Sequence, residues 1–97
     1  MIDISQEWVE ETKRNIRTKS SGANEEVKGL IKACLKDLEI AGVYVMDADD
    51  PLVRQAVKIY CRGNYGYDEN TERFREAYVA LKDAMALCGD YGRDDGE

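Results

Sequence analysis

Apolar positions recur at three- and four-residue spacing in four segments, the period of one face of an α-helix. Trp8, Val9, Thr12 and Ile16 make the least polar stripe of a helix predicted from about Ser5 to Arg17. Ser5 is its expected cap, and Ile4 with Val9 has the spacing of a hydrophobic staple. Glu7, Glu10 and Glu11 suit the positive end of its dipole, and Lys13, Arg14 and Arg17 the other. A polar turn through Ser20, Ser21 and Gly22 follows.

The second segment is the clearest. Val27, Leu30, Ile31, Cys34, Leu35 and Leu38 share one face of a helix expected to start at an Asn24 cap and run to about Ala41. Lys28, Lys32 and Lys36 turn toward solvent, and Gly42 has the position of a left-handed C-terminal cap. Val43 to Met46 is a short apolar run, extended but too isolated for a sheet. Asp50 as cap and Pro51 as first helical residue open the third helix, whose buried face is Val53, Ala56, Val57, Tyr60 and Cys61, with Gly63 near its end. The turn Asn64-Tyr65-Gly66-Tyr67-Asp68 leads to a fourth helix that starts between Asp68 and Thr71 and reaches about Leu87. Its stripe is Phe74, Ala77, Tyr78, Leu81, Ala84 or Met85, and Cys88. Short connections favour antiparallel neighbours, so the expected fold is all-α, a compact four-helix bundle. Residues 1–89 form the helical domain. Residues 90–97 are expected to form a flexible acidic tail, because a stretch rich in glycine and acids cannot bury enough apolar surface to order itself.

Composition then narrows the function. The 97 residues suffice for one domain with a narrow stability margin. The net charge is −6, with twelve acids against seven bases after residue 40, which leaves no material for a face-wide basic patch. There is no histidine, the commonest general base, metal ligand and near-neutral switch. Cys34, Cys61 and Cys88 form no CxxC pair, and each lies on an apolar stripe, where a cysteine behaves as a small buried hydrophobe. Asp47, Asp49 and Asp50 invite a calcium reading, but the fifth and sixth loop positions hold Pro51 and Leu52 instead of a ligand and a glycine. No GxSxG elbow, phosphate-binding glycine run or Cys–His pair is present. The expectation is a protein that binds and assembles, with no catalysis, cofactor or metal. A signal peptide and a membrane-spanning run are not expected. The candidate partner contacts are Tyr65 and Tyr67 in the third connection, and Tyr91, Asp94 and Asp95 in the tail, with Tyr91 as an aromatic anchor among acids.

The segments Glu25-Glu26-Val27 through Gly42-Val43, Asp50-Pro51-Leu52 through Tyr60, Asn64 through Asp68, and Glu72-Arg73-Phe74 through Lys82 resemble, in order and spacing, the small head–tail connector proteins of tailed bacteriophages. The resemblance covers roughly residues 5–91. It implies a structural adaptor, also described as a DNA-packaging protein, in the virion at the head–tail interface, made in the host cytoplasm. It further implies partnership with the portal and the stopper or tail-completion protein. Self-association into a dodecamer-like ring would let DNA pass without sequence-specific binding. The alternative is a small acidic helical regulator that sequesters a host or phage protein.

Overall fold

The computed structural model describes residues 4–16, 23–44, 47–64 and 71–92. It contains α1 (Gln6–Asn15), α2 (Ala23–Ile40), α3 (Pro51–Asn64) and α4 (Thr71–Leu87), followed by a single 3-10 turn, Gly89–Tyr91. Among the described residues there is no strand. The four-helix, all-α architecture is as the periodicity predicts.

The helix boundaries follow from local chemistry. Ser5 Oγ accepts from the Trp8 amide at 3.1 Å and so caps α1. Asn24 is not a cap: α2 already includes Ala23, and Asn24 Oδ1 accepts instead from Lys13 Nζ at 2.7 Å. That bond lets Lys13, only 7% exposed, lie against the core with its charge answered. The end of α2 is a Schellman motif. The Val43 amide donates to the Leu38 carbonyl at 2.9 Å and the Gly42 amide to the Glu39 carbonyl at 3.0 Å. Gly42 takes φ of +107°, which the motif demands and a side chain would resist. The accompanying apolar contact is supplied by Leu38 and Val43, both fully buried. At the start of α3, Asp50 Oδ1 accepts from the Leu52 amide at 2.8 Å, with Pro51 in the first helical position.

α3 is the central helix and packs against each of the other three. It runs antiparallel to α4: Tyr60 meets Tyr78 edge to face at 5.0 Å between ring centroids, and Gly63 abuts the first turn of α4. A Cβ on Gly63 would lie 3.2 Å from Arg75 Cγ and 3.4 Å from the Arg75 amide nitrogen, so this glycine sets how closely the two helices approach. α1 is held on α3 by Arg54. Its guanidinium stacks 4.5 Å from the centroid of the Trp8 ring while Nη1 donates to Glu11 Oε1 at 2.6 Å.

The core comprises Trp8, Val9, Val27, Ile31, Cys34, Leu35, Leu38, Val43, Val53, Ala56, Val57, Cys61, Tyr78 and Met85, with Ala23 and Tyr91 at its margins. Three expectations change. Leu30 and Leu81 are half-buried partners of the core, not its centre. On α4, Met85 rather than Ala84 faces inward, and Ala77 is exposed with Ala84. Tyr91 is packed into the fold at 7% exposure, so the ordered domain extends past residue 89. Hydrophobic periodicity misses that last contact because it comes from an isolated aromatic beyond the helix.

Candidate interaction surface

Two polar arrangements stand out against this core. The first lies between α2 and α4. Tyr78 donates its hydroxyl proton to Asp37 Oδ2 at 2.6 Å, Lys82 Nζ donates to the same oxygen at 3.1 Å, and the Cys34 thiol lies 3.8 Å from the phenol oxygen. Burial pushes the Tyr78 phenol well above the usual tyrosine range, reinforced by Cys34 and by the bond to Asp37, so it stays a neutral donor. Burial also acts to raise the Asp37 carboxyl, but the Tyr78 and Lys82 hydrogen bonds and the Lys82 charge outweigh it. The carboxyl is held below its ordinary value. Burial pushes the Cys34 and Cys61 thiols up to about 12, which keeps them protonated and poor nucleophiles. The arrangement ties α2 to α4 through one charge-assisted network. Tyr78 and Lys82 both donate to Asp37, and the Cys34 thiol is directed at the Tyr78 oxygen.

The second arrangement is at the end of the bundle where α2 stops, α3 begins and α4 stops. The Tyr44 amide donates to the Tyr91 carbonyl at 2.7 Å. The Tyr91 hydroxyl lies 2.8 and 3.0 Å from the two carboxylate oxygens of Asp50, the α3 cap. Burial, the Asp50 hydrogen bond and the Asp50 charge together push the Tyr91 phenol up to about 12. One residue thus joins all three helix ends, through its backbone carbonyl to Tyr44 and its hydroxyl to Asp50. Asp47 shapes the preceding turn, accepting from the Asp49 amide at 2.9 Å through its side chain and from the Asp50 amide at 3.0 Å through its carbonyl. Asp47, Asp49 and Asp50 are therefore turn and cap residues. Among the described residues, no group of three or more His, Cys, Asp or Glu side chains is placed to hold a metal ion.

Large apolar side chains surface at this same end. Ile40, the last residue of α2, is 74% exposed; Leu52, in the first turn of α3, is 43% exposed; and Leu87, the last residue of α4, is 88% exposed. The acids Glu39, Asp47, Asp49 and Asp90 lie within five positions of one of them along the chain.

The five partner-contact candidates divide accordingly. Tyr65, Tyr67, Asp94 and Asp95 lie outside the described residues. Tyr91 lies within the chain's own fold, its ring buried and its hydroxyl bonded to Asp50. The exposed residues Ile40, Leu52 and Leu87 were not among the candidates. They did leave a signal, since each is a large aliphatic residue off the apolar stripe of its helix. No helix among the described residues is long and apolar enough to cross a membrane. Comparison with protein-family models, curated proteins and solved structures found no match.

Proposed function

We propose that this chain is a head–tail connector of a tailed bacteriophage, a non-enzymatic adaptor that assembles as a ring beneath the portal and supports the stopper or tail. The observation that carries the reading is the ordered series of segments from Glu25 to Lys82 that resembles that family. The all-helical bundle of the described residues is consistent with it. A small domain with a thin stability margin gains from neighbours that bind only its folded form. The net charge of −6 suits a conduit through which DNA must slide, because a basic lining would hold phosphates in place. On this reading DNA passes without sequence-specific contacts, and the protein acts in the virion after synthesis in the host cytoplasm.

Light scattering of the protein alone and with portal protein tests the reading. A connector forms high-order assemblies or binds portal. A protein that stays monomeric or dimeric and ignores portal is a regulator, and the proposal fails.

A further inference from the structure

We propose that the end of the bundle formed by the C-termini of α2 and α4 and the N-terminus of α3 is a docking surface for a protein segment with apolar anchors flanked by lysine or arginine. The inference goes beyond the connector reading and does not depend on it.

Single exposed aliphatic residues are ordinary on protein surfaces, so no one of these residues carries the argument. Their placement does. Ile40, Leu52 and Leu87 belong to three different helices, and the Tyr44–Tyr91 and Tyr91–Asp50 bonds gather those three helix ends together. Leu87 and Ile40 are also among the most exposed large apolar side chains in the structure. Neither is needed to fill the core, which is already closed beneath them by Leu38, Val43 and Met85.

The surrounding charge selects the occupant. Glu39, Asp47, Asp49 and Asp90 stand at this end, and Asp83 lies one turn before Leu87 on the same side of α4. Among the described residues, Lys36 answers Glu39 at 3.1 Å, Arg54 answers Glu11 and Asp49 at 2.6 and 3.6 Å, and Lys82 pairs with Asp37 at 3.1 Å, which leaves Asp47, Asp83 and Asp90 without an ion pair. An apolar surface whose rim keeps the unanswered acids Asp47, Asp83 and Asp90 favours a basic partner and repels nucleic acid and anionic lipid. A second copy presenting the same end would bring acid against acid.

The test is nuclear magnetic resonance titration of the full, isotope-labelled chain with a synthetic peptide bearing leucines at helical spacing between pairs of lysines. Saturable shifts should centre on the amides of Ile40, Leu52 and Leu87 and weaken as salt rises. The double variant Leu52→Ser/Leu87→Ser, both at exposed positions, should keep the helical spectrum and bind at least about tenfold more weakly, as expected when anchor contacts are removed. Asp83→Lys/Asp90→Lys should weaken binding and reduce its salt dependence. The proposal is overturned if the shifts do not saturate or centre elsewhere. It is equally overturned if a lysine-only peptide or a glutamate-flanked leucine peptide binds as well. Dilution shifts at the three residues without peptide would make the occupant a second copy, and partition onto phosphatidylcholine vesicles would make it a lipid surface; either result also overturns it. No portal is used, so this inference and the connector reading can fail separately.

Discussion

Replacing Tyr91 separates a packed chain end from a loose one. Tyr91 is 7% exposed, and its hydroxyl bonds the carboxylate of Asp50, which also caps α3 through the Leu52 amide. Tyr91→Ala removes a buried ring, a change that costs about 3–5 kcal/mol for aromatic residues in cores. Tyr91→Phe keeps the ring and loses a hydrogen bond to a charged group, worth about 1.5–3 kcal/mol. The lower end of that range applies, because Asp50 is only half-buried and keeps its Leu52 partner. For a domain of this size, total stability is about 5–15 kcal/mol and each kcal/mol moves the thermal midpoint by about 4–8 °C. Urea and thermal unfolding followed by circular dichroism should therefore rank wild type above Tyr91→Phe and Tyr91→Phe well above Tyr91→Ala, with helical content retained below the transition. Deletion of residues 90–97 should destabilise at least as much as Tyr91→Ala. If both point variants fall within about 0.5 kcal/mol of wild type, the range of ordinary surface changes, the packing of the 3-10 turn on α3 is refuted.

Three further outcomes follow from the same packing. Ile31→Ala and Leu38→Ala should each cost about 2–5 kcal/mol in denaturant titrations, and Leu30→Ala and Leu81→Ala distinctly less, since only the first pair is fully buried; the reverse order would contradict the core. Iodoacetamide labelling of the native protein, read by mass spectrometry, should modify half-buried Cys88 well before Cys34 and Cys61; equal rates would contradict the burial of the latter two. Stability should be greatest across the middle of the pH range. Asp37, held below its ordinary 3.8, contributes stability present above that pH and lost as pH falls through its folded-state value. Tyr78 and Tyr91, raised above 10.0, and Cys34 and Cys61, raised above 9.0, contribute stability that is whole below those values and lost as pH rises toward their folded-state values. Asp37→Asn should flatten the acid limb of a midpoint-against-pH curve and Tyr78→Phe should make the alkaline limb shallower; unchanged limbs would remove the network from the stability account.

The helices were legible because their signals are local. Ser5, Gly42 and the Asp50-Pro51 pair stop and start helices through bonds to residues a few positions away, which spacing alone discloses. Asn24 misled because a polar residue before an apolar run has the composition of a cap whether its side chain turns to its own helix or, as here, to Lys13. Long-range contacts left weaker traces. Asp37, Tyr78 and Lys82 are 41 and 45 positions apart across two helices, and no periodicity within either helix couples them. Tyr91 is another such contact, since an isolated aromatic beyond the last helix finds the Asp50 carboxylate 41 positions away. Ile40, Leu52 and Leu87 were readable as off-stripe aliphatics, but only the fold brings them to one end of the bundle.

The connector proposal is tested most directly by electron microscopy of this protein mixed with a tailed-phage portal protein encoded beside it. The account predicts a ring of this chain, coaxial with the portal and seated on its tail-facing end, with an open central channel. Portal particles bare at that end, at protein concentrations where the chain is folded and in excess, would contradict it.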